Sequence, residues 1–75
     1  MNNPRRKDIR RAMELLQEAM DIISSAGEEE REAYDNLPES LQYTERGETL
    51  EENADTLDEA VDSIYDLMDS LEEIL

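Results

Sequence analysis

Cysteine, histidine, tryptophan and phenylalanine are all absent from these 75 residues. Without cysteine no disulfide can staple a small chain, and without cysteine or histidine the usual zinc ligands are missing. Histidine is also the commonest general acid–base near neutral pH. No evident base stands ready to activate the Ser, Thr or Tyr hydroxyls. A two-carboxylate site is chemically conceivable, but apolar residues make up only 37% of the chain and leave little core from which to shape a pocket. Neither glycine belongs to a calcium-binding loop, and the Glu-x-x-His pattern of di-iron bundles fails for lack of histidine. The expectation is a protein that is not an enzyme and holds no cofactor and no metal.

Long apolar runs are missing too. No stretch approaches the roughly 20 residues of a membrane span, and no uninterrupted apolar run follows the basic residues at 1–11 as a secretory signal would require. The expected location is cytoplasmic, away from membranes. Cations are scarce: 7 Lys and Arg stand against 22 Asp and Glu, a net charge of −15. One domain is the most such a length allows, and a monomer of this size buries only about 60% of its unfolded surface. Oligomerisation or idealised helix packing must supply the missing stability.

What is present is helical patterning. Asn3 before Pro4 reads as an N-cap followed by proline at the first helical position. Pro38 should end that helix, because it disfavours α conformation at Leu37 and has no N–H to donate. Between them a heptad runs without a skipped residue. Its a column holds Met13, Met20, Gly27 and Tyr34, its d column Ile9, Leu16, Ile23 and Glu30, and its g column Ala12, Ala19, Ala26 and Ala33. Ser25 with Glu28 fits a capping box that would start a new helix there. The unbroken phase favours one helix over about 4–37 instead, bent or frayed near Gly27, where glycine costs about 1 kcal/mol against alanine. Glu30 is a flaw in the d column, set in a wet zone beside Arg31 or Arg46. Residues 38–44 form the turn, with Tyr43 its most exposed side chain and room for one short helical turn. Thr44 is the expected N-cap of a second helix over about 45–75, with Glu45 and Glu48 complementing its positive end and Gly47 weakening it. That helix repeats Ala54, Val61 and Met68 at a and Leu50, Leu57, Ile64 and Leu71 at d.

Two long amphipathic helices joined by a short turn predict an all-α fold, an antiparallel helical hairpin spanning residues 1–75 as a single domain. Arg5, Arg6, Lys7, Arg10 and Arg11 crowd the first helix's start, and Asp69, Glu72 and Glu73 crowd the second's end. Antiparallel pairing should set these unfavourable ends side by side. The apolar face is wider than the a and d columns one partner needs, since Leu15 and Ile22 add column c and Leu67 and Ile74 add column g. A homodimer forming a four-helix bundle is therefore expected, with Leu15, Ile22 and Leu67 in its interface.

The second helix also carries 11 carboxylates between Gly47 and Leu75 and no cation. They stand about one per 3.5 Å of helix, close to the spacing of phosphates along a DNA strand. Like charges at i,i+4 destabilise a helix, so a row this dense, without interleaved lysine, suggests a face kept for binding. Glu51, Glu52, Asp55, Asp58, Glu59, Asp62, Asp66 and Asp69 are the candidate partner-binding residues. Direct nucleic-acid binding is excluded for such a face, and a basic protein partner, most commonly one that binds nucleic acid, is favoured. The reading is a DNA mimic; the alternative is a homo-oligomeric structural or assembly protein whose acidic face only gives solubility.

The run Glu32-Ala33-Tyr34-Asp35-Asn36-Leu37-Pro38-Glu39-Ser40-Leu41-Gln42, followed by Glu45-Arg46-Gly47-Glu48, resembles small acidic helical proteins of phages and prophages of Gram-positive bacteria. The resemblance covers the turn, and the flanking helices in character. It implies a phage counter-defence role, by analogy of charge and size with acidic DNA-mimic inhibitors of host nucleases.

Overall fold

The computed structural model describes all 75 residues. The chain is all-helical, with a long helix pair and no strand: α1 spans Asn3–Asp35, α2 is the single turn Glu39–Gln42, and α3 spans Glu45–Glu72. No helix is long and apolar enough to cross a membrane.

The helix ends differ from the sequence expectation by local chemistry. The N-cap is Asn2 rather than Asn3, and its side-chain oxygen accepts the Arg5 N–H at 2.9 Å. Pro4 therefore occupies the second helical position, where its missing N–H is equally harmless because no intrahelical acceptor exists for it. At the other end α1 stops at Asp35, two residues short of the expected 37. The Asn36 N–H still donates to Glu32 O at 2.9 Å, but Pro38 turns the backbone away immediately after. The Gln42 amide then reaches back and donates to the Leu37 and Tyr34 carbonyls at 3.3 and 3.4 Å, the second of which also accepts the Leu37 N–H at 3.1 Å. Thr44 does occupy the N-cap position of α3, with Glu45 and Glu48 in the first turn. Its hydroxyl makes no cap, however, and donates instead to Leu41 O. The second helix ends at Glu72, not 75, the last residues forming a looser turn closed by Ile74 N–H to Leu71 O.

Gly27 and Gly47 each reverse their expected role. The first helix runs unbroken through Ser24–Gly27, so no new helix starts there. Gly27 is buried and marks a close approach of the two helices: a Cβ placed on it would lie 3.4 Å from Leu57 Cβ and 3.5 Å from Asp58 Oδ1. Gly47 is also buried, against the backbone of α2. A Cβ there would lie 2.6 Å from the Gln42 carbonyl carbon, an impossible contact, so glycine is what lets the turn fold onto the start of α3. The residue that weakens the helix by propensity is the one the turn requires.

Contacts between the long helices fix their register. Gly27 lies on Leu57, Glu30 meets Asn53, Arg31 meets Asp55 and Asp58, and Tyr34 stands beside Glu51. Partners fall along α3 as they rise along α1. Extending that register at about 1.5 Å per residue puts Glu72 opposite Met13. Nearly three turns at the start of α1 thus run beyond the last helical residue of α3, and the molecule is a rod of 58 × 15 × 12 Å. Ala54 is its one fully buried apolar side chain; the other apolar a and d side chains of α1 and α3 are half-buried.

Candidate partner-binding face

The register gives the rod two long sides. On one, the e columns of the two helices meet, and Arg31 of α1 is held there by α3. Its Nη2 lies 2.5 Å from Asp58 Oδ2 and 3.6 Å from Asp55 Oδ1. The hydrogen bond to Asp58, and then the Asp58 charge, raise the guanidinium above its already high ordinary pKa. Tyr34 sits on the same side in a hollow shared with Arg31, Asp35, Glu51 and Ala54. Partial loss of water around the phenol, then the Glu51 charge, raise its pKa above the ordinary tyrosine value.

Two of the eight candidate carboxylates, Asp55 and Asp58, are therefore engaged by a cation from the neighbouring helix. Sequence reading missed this because it followed charge along one helix at a time. Arg31 stands in the e column of α1, opposite the e-column Asp58, and this heptad correspondence was the available signal. Glu51, Glu52, Glu59, Asp62, Asp66 and Asp69 are all exposed and have no cation within ion-pair distance. Glu52, Glu59, Asp62, Asp66 and Asp69 form a row on the outer surface of α3, held at helical spacing, and Glu51 flanks it at the hollow beside Tyr34. No three of the acidic side chains converge in the manner of a metal site.

The expected relief between the basic start of α1 and the acidic end of α3 does not take the form of ion pairs. Arg11 pairs with its own neighbour Glu14 at 3.1 Å, and none of Arg5, Arg6, Lys7 or Arg10 reaches Asp69, Glu72 or Glu73. The register explains it: the basic turns overhang α3 instead of flanking it. Glu30, the flaw in the d column, is bound neither to Arg31 nor to Arg46; it accepts a hydrogen bond from Asn53 Nδ2 at 3.2 Å.

On the opposite side the g columns meet. A groove there is lined by Ala26, Glu29, Glu30, Asn53, Thr56 and Leu57. Toward the chain termini the same side loses its charge and exposes large apolar groups. Ile22 is 70% exposed, Leu15 and Leu67 are each 48% exposed, and Ile74 is similarly open. The three residues expected in a dimer interface are thus uncovered by their own chain. Tyr43, at 77%, is the most exposed of the large apolar side chains, as its place in the turn suggested.

No family model matches this chain, and no curated protein or solved structure matches it.

Proposed function

We propose that the chain is a non-enzymatic acidic protein, an antiparallel helical hairpin whose α3 carboxylates engage a basic, nucleic-acid-binding host protein in the cytoplasm as a DNA mimic or counter-defence inhibitor. The observation that supports this reading is the row of exposed carboxylates on α3 that have no cation beside them, Glu51, Glu52, Glu59, Asp62, Asp66 and Asp69. A regular helix holds them at fixed spacing, so a basic groove meets charges already in place and little ordering is required on binding. Long-range attraction between such a row and a cationic groove also speeds encounter. The turn's resemblance to small acidic phage and prophage proteins agrees with a counter-defence setting.

The test spares the fold. Glu51→Gln, Glu52→Gln, Glu59→Gln, Asp62→Asn, Asp66→Asn and Asp69→Asn together remove charge while leaving Asp55 and Asp58 to hold Arg31. Bait carrying these changes is compared with the native chain in captures from nuclease-treated lysate of a Gram-positive host. A protein held by the native chain, released by duplex DNA and by salt, and lost from the neutralised bait supports mimicry. Equal capture by both baits, with the same salt dependence, rejects it.

A second reading, a homodimeric four-helix bundle with a structural or assembly role, is favoured by one observation of its own. Leu15, Ile22, Leu67 and Ile74 are exposed on a single side of the rod, and apolar patches of this kind mark interfaces.

A further inference from the structure

The side of the rod opposite Arg31 has a property beyond its apolar groups: it carries no charge over most of its length. On α1 its uncharged positions are Ala12, Leu15, Ala19, Ile22 and Ala26, bounded by Arg5 and Asp8 before them and by Glu29 after them. On α3 they are Thr49, Asn53, Thr56, Ala60, Ser63, Leu67, Ser70 and Ile74. In a chain with 39% charged residues this is the one long surface where two copies can touch without setting carboxylate against carboxylate. Small residues alternate with large along the α1 stripe and from Ser63 to Ile74 on α3, which lets helices approach closely.

Area argues in the same direction. A compact monomer of this mass exposes about 4,700 Å². This chain exposes 5682 Å², an excess of the order of the roughly 800 Å² that each partner contributes to a standard interface.

Charge is divided unevenly along the rod. The open end, residues 1–19 with 65–75, holds five cations and seven carboxylates, a net −2. The turn end, residues 20–64, holds two cations and fifteen carboxylates, a net −13. A two-fold axis along the rod would stack the two turn ends on each other. An axis crossing the rod at right angles sets each turn end over the other copy's open end. The apolar stripes choose the crossing point, because Ala19 is the middle of its stripe on α1 and Leu67, at the same level, is the middle of the apolar part on α3. With the axis there, Arg6, Lys7 and Arg10 of one copy lie over Glu28–Glu32 of the other, and Ile22 lies beside the other copy's Leu15.

We propose that the charge-free side binds a second copy of this chain in antiparallel fashion, with the two-fold axis crossing α1 near Ala19, so that α1 packs on α1 and the basic overhang of each copy covers the acidic Glu28–Glu32 segment of the other. The arrangement rests on the four-helix-bundle reading and fixes its geometry.

The absence of native cysteine makes the test direct. In this arrangement residue 12 of one copy meets residue 26 of the other, whereas an axis along the rod brings residue 12 to residue 74. Separate Ala12→Cys, Ala26→Cys and Ile74→Cys chains are mixed in pairs and oxidised gently, since a disulfide forms only where Cα atoms come within about 7 Å. A cross-link between the Ala12→Cys and Ala26→Cys chains, with none in either alone, supports the antiparallel dimer. A cross-link between the Ala12→Cys and Ile74→Cys chains overturns the arrangement while leaving a dimer. Sedimentation of the native chain as a monomer at about 50 µM, well above the dissociation constant of an ordinary micromolar dimer, overturns both. Ile22→Glu supplies the folding control. Its side chain is already 70% exposed, so helix content should be kept while the dimer's dissociation constant rises at least about 100-fold, because two-fold symmetry counts the change twice.

Discussion

The two ends of the rod are built differently. All three buried residues, Gly27, Gly47 and Ala54, lie in the turn end. So do the polar ties between separate elements: Arg31 to Asp55 and Asp58, Asn53 to Glu30, and Gln42 to the end of α1. The open end has no hydrogen bond or ion pair across the helices and leaves Leu15, Tyr65, Leu67 and Ile74 exposed. Charge follows the same division, with the turn end bearing nearly all of the net −15. The turn end holds itself together against its own repulsion by close backbone contact and directed polar bonds. Such devices are short-ranged and need no large apolar area. The open end has neither the repulsion nor the ties, and its large apolar side chains stay exposed.

The sharpest way to break this comparison is at the glycines, which meet their neighbours at very different distances. Gly47→Ala drives a methyl into the Gln42 backbone, which cannot move without unseating α2. The expected loss is about 1–3 kcal/mol, read in a circular-dichroism melt as a fall of roughly 4–8 °C for each kcal/mol in a chain of this length. Gly27→Ala should go the other way. Its new methyl would meet Leu57 and Asp58 at ordinary contact distance, so the helix-propensity gain of up to about 1 kcal/mol survives. A melt lowered by Gly27→Ala would mean that the helices need the closer approach only glycine gives.

A smaller effect is expected at Arg31. Removing its charge as Arg31→Gln unpairs two carboxylates in the most acidic part of the molecule. The pair is exposed, so the loss should be modest and should shrink as salt is raised. The same salt should raise the melting temperature of the native chain by screening its net charge. Coupling is read from the double variant with Asp58→Asn. If Arg31→Gln costs as much in the presence of Asp58→Asn as in its absence, the pair contributes nothing to the hold of α3 on α1.

How far the sequence carried follows from the range of each interaction. The heptad in α3, the proline stop after α1 and the exposure of Leu15, Ile22, Leu67 and Tyr43 were legible, because each depends on spacing along one helix. The buried role of Gly47 was not, because it depends on where the Gln42 backbone arrives after the turn, and propensity argues the other way. The overhang of Arg5 to Arg11 was equally hidden: it is set by the lengths of α1 and α3 together, and α3 ended three residues earlier than its pattern. Of the acidic row, the exposed carboxylates were legible and their one interruption was not, since Arg31 lies 24 and 27 residues away in sequence from Asp55 and Asp58.

The finest distinction between the ends concerns their tyrosines. Tyr34 belongs to the turn end, half-buried beside Glu51, while Tyr65 stands exposed at the open end. Loss of water around the Tyr34 phenol and the nearby Glu51 charge both disfavour tyrosinate, which raises its pKa in the folded chain. A raised folded pKa means that the native state holds its proton more tightly than the unfolded chain does. The stability tied to that proton is complete below the ordinary tyrosine value of about 10 and is lost as pH rises through the folded value. Tyr43→Phe with Tyr65→Phe leaves Tyr34 as the single phenol, so its titration can be followed by tyrosinate absorbance without overlap. The midpoint should lie above about 10 in the folded chain and return toward it in denaturant. Glu51→Gln should lower the folded midpoint only in part, because the larger cause is the loss of water and that remains. A midpoint unchanged between folded and denatured chain would show that the hollow around Tyr34 is as wet as the open end, and the contrast between the two ends would not extend to their solvation.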